Sequence, residues 1–242
     1  MSDWIIPQWA APPHVHAVST LRNGGVSQGR FASLNLGRHV GDDAAHVQKN
    51  RELLAATFKL PAQPLWLDQH HGCAVVRAGN AETHYADASF TTAPGAVCAV
   101  MTADCLPVLL CNGNGSKIAA IHAGWRGLAH GIIEAAARAL DSDDLIAWLG
   151  PAIGADAFEV GEEVRSIFTA RLGEAADTAF KPHKTRNKWY ADIYALARIA
   201  LQRAGVNAVY GGERCTYSEP EHFFSFRRDG QTGRMATLIW LE

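Results

Sequence analysis

Val97-Cys-Ala-Val-Met-Thr-Ala-Asp-Cys-Leu-Pro-Val-Leu-Leu-Cys-Asn-Gly-Asn-Gly-Ser-Lys-Ile-Ala-Ala-Ile-His122 contains three apolar runs with no helix-length segment between them. The runs 97–102, 107–111 and 118–122 are too short for helices and are bounded by polar or turn residues, which predicts three consecutive strands. The first run breaks at Ala103-Asp-Cys105. The second and third flank Asn112-Gly-Asn-Gly115, a hairpin turn that brings the ends of its two strands together. Working outward, further short runs at 16–21, 145–149, 208–210 and 237–241 read as strands. The segments 44–58, 128–140, 162–172 and 191–204 carry apolar residues at helical spacing, with Gly or Pro near most of their ends. Strand and helix do not alternate, and neither a GxGxxG nor a P-loop is present. The expected fold class is therefore α+β, a layered sandwich rather than a doubly wound sheet.

No linker, charge block or repeat divides the chain, so residues 1–242 read as a single domain, and 48% hydrophobic content is enough for a substantial core. The 22 Lys+Arg nearly balance the 24 Asp+Glu, for a net charge of -2. That balance argues against a general nucleic-acid binder and favours a small or neutral substrate. The first residues lack the basic and apolar regions of a secretory signal, and no stretch approaches the roughly 20 apolar residues of a membrane span. A cytoplasmic protein is expected. Five cysteines, odd in number and without a CxxC pair, argue for reduced thiols rather than a disulfide framework or a zinc ribbon.

Three segments combine metal-competent side chains with tight backbone punctuation: Asp68-Gln-His-His-Gly72, Thr102-Ala-Asp-Cys-Leu-Pro107 and Ile121-His-Ala-Gly-Trp-Arg-Gly127. A thiolate with two imidazoles gives a divalent ion one soft and two borderline donors and leaves a fourth position for water or substrate. Cys98 and Cys111 interrupt apolar runs as small buried hydrophobes do. Cys105 differs, because it sits at a strand break beside Asp104, where packing alone gives no reason for a carboxylate. His122 ends an apolar strand and reads either as a ligand or as a hydrogen-bonded core histidine. Of His70 and His71, only one faces inward if the stretch is extended. His14-Val-His16 would place two imidazoles on one strand face, but no thiol or carboxylate lies nearby, and both read as surface residues. Trp125 and Arg126 offer an apolar wall and an anion-binding fork.

Gln69-His-His-Gly72, Thr102-Ala-Asp-Cys-Leu-Pro-Val108 and His122-Ala-Gly-Trp-Arg-Gly127 resemble the signature segments of the YfiH family. Its members are variously called polyphenol oxidase (laccase-like) proteins, purine nucleoside phosphorylases and peptidoglycan editing factors. Leu21-Arg-Asn-Gly-Gly-Val-Ser27, Trp148-Leu-Gly-Pro-Ala-Ile-Gly154 and Phe223-Phe-Ser-Phe-Arg-Arg-Asp229 extend the resemblance essentially end to end. It implies a layered α/β/β/α sandwich and a zinc site formed by His71, Cys105 and His122. It also implies phosphorolysis of purine nucleosides (adenosine, inosine, guanosine and methylthioadenosine), with deamination of adenosine as a second activity. The expected partners are then a purine nucleoside and phosphate. Arg126, Arg22, Arg227 and Arg228 are the candidates to neutralise charge in the transition state, and Asp104 is either a proton acceptor or an orienting group.

Competing readings attach to the same residues. A laccase would oxidise phenols with copper, and copper outcompetes zinc for such ligands. A multicopper enzyme, however, needs several centres with paired His-x-His segments, and the only such segment is His14-Val-His16. A metal-free hydrolase would use Cys105 as nucleophile and His122 as base, since the family fold is similar to the catalytic domain of the cytotoxic necrotizing factor toxins. An editing role on peptidoglycan precursors has no residue to which it can be tied. A purely structural zinc site predicts unfolding on metal loss and no turnover.

Overall fold

The computed structural model describes residues 4–242, so residues 1–3 of the N-terminal stretch lie outside it. In chain order the elements are β1 (Trp4–Ile5), β2 (Val15–Thr20), α1 (Ala44–Phe58), β3 (Val75–Arg77), β4 (Ala88–Thr91), β5 (Val97–Thr102), β6 (Leu106–Asn112) and β7 (Ile118–Ala123). Then follow α2 (Trp125–His130), α3 (Ile132–Leu140), β8 (Leu145–Leu149), β9 (Glu159–Gly161), α4 (Glu162–Leu172), β10 (Phe180–Pro182), β11 (Lys188–Ala191), α5 (Ile193–Arg203), β12 (Ala208–Gly211), α6 (Phe226–Asp229) and β13 (Met235–Leu241).

One sheet has the order β1-β2-β13-β5, a second β12-β8-β6-β7-β4-β3, and a small third sheet β10-β11-β9. The strand period of two explains how the larger sheets stack. In β5, Cys98 and Val100 join a layer with Leu109 and Cys111 of β6 and Ile118 and Ala120 of β7, so these faces pack on one another. The alternate residues Val97 and Ala99 turn outward to Leu54 of α1, together with Val18 and Leu238. From β6, Leu106, Val108 and Leu110 turn the other way, into a core shared with Leu128, Ile132, Phe168 and Leu196 of the helices α2 to α5. The layers are thus α/β/β/α, as the resemblance implied. Both faces of β6 are apolar because both are covered. Full burial of Leu106, Leu109 and Leu110 contributes about 1.5–3 kcal/mol for each side chain.

Two expectations need correction, those for 128–140 and for His14. The helix read at 128–140 is two helices, because Gly131 takes φ +95° between α2 and α3, a left-handed conformation that only glycine adopts without strain. Although β5 and β6 are consecutive, they belong to different sheets, and residues 103–105 form the crossing between them. His14 precedes β2 instead of sharing its face with His16, whose Nε2 meets the Glu242 carboxylate at 2.9 Å. No helix among the described residues is long and apolar enough to cross a membrane.

Candidate metal centre

The crossing at 103–105 and the antiparallel register of β6 on β7 place the site. Pro107 pairs with His122 and Leu106 with Ala123, so Cys105, one residue before β6, lies beside the end of β7. His71 comes from the turn before β3, where its φ of +64° is held by the contacts described below. The donor atoms of His71, Cys105 and His122 all lie within 4.8 Å of one another. Cys105 Sγ is 3.7 Å from His71 Nε2, and the two imidazoles meet edge to face at 74° with centroids 4.8 Å apart. A tetrahedral ion with ordinary zinc–sulfur and zinc–nitrogen bonds needs donor–donor edges of about 3.3–3.5 Å. The three side chains therefore fit a zinc-sized ion after small rotamer adjustments. Gly124 leaves the necessary space, since a Cβ there would meet His71 Cδ2 at 2.6 Å and Cys105 Sγ at 3.2 Å.

Asp87, just before β4, organises this cluster. It is fully buried and surrounded by donors: its carboxylate accepts from His122 Nδ1 at 2.8 Å, from the His71 backbone N–H at 2.9 Å and from that of Gly72 at 2.7 Å. A proton held on His122 Nδ1 leaves Nε2 as the free donor for a metal. The same carboxylate fixes the turn that carries His71. His70 is drawn elsewhere: its Nδ1 is 3.2 Å from Asp87 Oδ2 and its ring stacks on Tyr85 at 3.8 Å, which leaves His71 as the imidazole of the cluster.

Cys105 and His122 each favour the charged form of the other. Burial raises the Cys105 thiol, but His122 and then His71 outweigh it and hold the thiol below its ordinary range. Burial lowers the His122 imidazole, but the Cys105 thiolate and the Asp87 carboxylate hold it above its usual range. Asp87 itself is pushed upward by burial, yet its hydrogen bonds from His122, Gly72 and His71 keep it below the ordinary carboxylate range. The site is thus poised in the deprotonated-thiol form that a metal binds.

The other expected residues divide. Asp104, at φ +92° in the crossing, accepts from the Thr216 hydroxyl and the Arg227 backbone N–H, both at 2.6 Å, so one carboxylate oxygen holds the loop at Thr216 and the other the start of α6. Arg126 and Arg227 line a cavity of about 240 Å³ with Cys105, their guanidiniums over the rings of Trp125 at 4.3 Å and Phe158 at 5.5 Å. Arg22 and Arg228 are not brought there. Arg22 donates to the carbonyls of Ala32 and Pro220, and Arg228 to those of Thr216, Tyr217 and Phe223 and to Asp229.

A family model described as multi-copper polyphenol oxidoreductase laccase matches residues 16–242. The purine nucleoside phosphorylase YfiH of Escherichia coli K12 is 51% identical, with 100% of both chains covered. The chain belongs to the YfiH family. A purine nucleoside phosphorylase of Pseudomonas aeruginosa is likewise 51% identical over 100% of both chains. The crystal structure of a Neisseria meningitidis protein superposes with a TM-score of 0.94 at 48% identity, again covering both chains completely.

In this YfiH-family chain a second cavity, of about 250 Å³, opens on the other side of Cys105 and includes His71, His122, His39 and Arg234. Ala103, Cys105 and Phe226 line both cavities. The sequence reading missed Asp87 and the position of Arg234. For Asp87 the available signal was a lone carboxylate between Ala86 and Ala88, just before the short strand Ala88–Thr91.

Proposed function

We propose that this chain is a zinc-dependent purine nucleoside phosphorylase acting on adenosine, inosine, guanosine and methylthioadenosine, with adenosine deamination as a second activity. The observation that carries this reading is the position of the His71–Cys105–His122 cluster where two cavities meet. Two substrates reacting with each other need two adjoining spaces with a shared polarising centre between them. The names of the relatives favour nucleoside and phosphate as those substrates.

A zinc ion held by His71, Cys105 and His122 would supply Lewis acidity to both reactions. The chain's own groups bind and orient. Trp125, Phe158 and Phe226 offer apolar faces of the kind a purine stacks on. Asp104 anchors the backbone of Arg227 and so fixes the wall that Phe226 and Arg227 form. In phosphorolysis the bond between ribose C1′ and the base breaks, a bond from C1′ to a phosphate oxygen forms, and the base leaves with a proton. Arginine N–H groups near the cluster stabilise the phosphate charge through that step.

Copper-dependent oxidation of phenols is the second reading, favoured by the description of the matching family model. Against it, the described residues hold one cluster of three metal-competent side chains, whereas multicopper oxidation draws on several centres. The reading is tested by phosphate-dependent release of free base from inosine and adenosine before chelation, after chelation and after adding back zinc or copper. Loss on chelation with recovery by zinc is expected. Turnover that survives complete metal removal would contradict it.

A further inference from the structure

The cavity containing His71 and His122 also holds Arg234, immediately before β13. Its side chain is half-buried, and its aliphatic stem lies so close to Gly37 that a Cβ there would meet Cγ at 2.8 Å. Nη1 donates to the carbonyls of Thr232 at 2.9 Å and Gly233 at 3.0 Å, which pins the guanidinium plane. Among the described residues its Nε and Nη2 meet no acceptor, and no carboxylate stands within ion-pair distance. Burial lowers its pKa, and the charges that oppose this are those of Cys105 and Asp104, which places the cation beside the cluster.

A half-buried guanidinium whose plane is pinned and whose Nε and Nη2 remain open to the cavity is preorganised to receive an anion. The arginines nearby are held differently. Arg51 spends Nε and Nη2 on the Leu36 carbonyl and lies over the Trp66 ring at 4.1 Å. In the other cavity Arg126 is exposed over Trp125, and Arg227 lies over Phe158 and donates to the Glu159 carbonyl, while Arg234 lies over Phe226 at 6.0 Å. Both chambers hold guanidiniums beside rings, but the one with Arg234 also contains His71 and His122, whereas the other adds the flat faces of Trp125 and Phe158.

We infer that the chamber of Arg234 is the inorganic phosphate subsite, with Arg234 as its anion anchor, and that the chamber of Trp125 and Phe158 receives the purine. This rests on the phosphorylase reading and assigns the two substrates to opposite sides of Cys105 and Phe226. Arg234 offers Nε–H and one Nη2–H to two phosphate oxygens, the parallel fork that guanidinium groups form with phosphate. Phosphate is then held next to the cluster before the nucleoside enters.

The test is titration of the zinc-loaded protein with inorganic phosphate in the absence of nucleoside, followed by calorimetry or by ³¹P line broadening, for wild type, Arg234→Gln, Arg234→Lys and Trp125→Ala. Arg234→Gln is expected to weaken phosphate binding at least about tenfold, the loss of charge-assisted hydrogen bonds. Arg234→Lys keeps the charge and recovers part of it, which covers the case in which the glutamine variant fails to fold. Trp125→Ala keeps phosphate binding and raises KM for inosine, while Arg234→Gln raises KM for phosphate and leaves that for inosine within about twofold. Phosphate binding that depends on Arg234 in a protein that turns over no nucleoside supports the anion site and sinks the phosphorylase reading. Wild-type phosphate affinity in both Arg234 variants overturns the inference even if phosphorolysis continues. So does Arg234-dependent binding of adenosine 5′-monophosphate without any such dependence for inorganic phosphate.

Discussion

Asp87 has donors on every side and no acceptor, so its replacement by asparagine is not conservative. One amide oxygen can still serve His122 Nδ1, but the amide N–H groups then face the backbone donors of the 70–72 turn. Asp87→Asn is expected to weaken zinc binding about 10–100-fold, the usual cost of losing a partner that orients a ligand, measured by competition with a chromophoric chelator. Wild-type affinity would show that the carboxylate is incidental. The sign of its pH effect follows from its depressed value. Its stabilisation is complete above the unfolded carboxylate range, about 3.9, and is lost as pH falls through the lower folded value. The stability gap between wild type and Asp87→Asn in denaturant should therefore be full at neutral pH and shrink in strong acid. A gap that widens on acidification would reverse the argument. A second expectation concerns the chelated protein. With His122 and His71 holding Cys105 below the ordinary thiol value of about 8.5, iodoacetamide should alkylate it at neutral pH faster than it alkylates an ordinary thiol. A rate at Cys105, read by peptide mapping, no faster than that of free N-acetylcysteine would contradict the lowered thiol value.

Among the elements, the junction of α2 and α3 turns on one residue. Gly131 combines φ +95° with a neighbour, Arg171 Nη2, only 2.4 Å from where a Cβ would stand. Gly131→Ala should cost at least about 1–2 kcal/mol of stability by its backbone conformation alone, read from the shift of the denaturation midpoint. An unchanged midpoint would mean that the two helices rejoin as one. The same glycine shows where sequence reading stops. The apolar spacing across residues 128–140 is continuous, so periodicity alone predicts one helix, and only the left-handed backbone at Gly131 breaks it. By contrast α1, β5, β8 and α4 are legible to the residue, because strong periodicity is bounded by capping or turn residues: Asp43 accepts from Ala45 N–H at the start of α1, and Gly173 follows α4. The strands β3, β4, β9, β10 and β11 were not legible. Each is three or four residues long and gains its strand character from its neighbours, not from its own pattern.

Across the whole molecule, the site is assembled from segments far apart in sequence by the layering of the sheets. His71 precedes an edge strand, Cys105 sits in the crossing between sheets, His122 ends a central strand and Asp87 leads into its neighbour. The metal-competent residues could be read in the sequence because unusual side chains stood at strand breaks. Arg234 could not, since an arginine after a glycine acquires meaning only once the fold shows what surrounds it, and Asp87 offered only the single signal of a carboxylate between alanines. Because the metal would join three such segments, zinc should stabilise the folded chain by about 2.7 kcal/mol at a hundredfold excess over its Kd, seen as a rise in Tm on adding zinc to chelated protein.

The most direct measurement is elemental analysis of purified wild type, Cys105→Ala and His122→Ala, with phosphate-dependent base release from inosine assayed on the same samples and circular dichroism to confirm folding. About one zinc per chain with turnover in the wild type, and loss of most metal and turnover in both folded variants, is the predicted result. Full zinc stoichiometry and an undiminished rate in either folded variant would contradict the account.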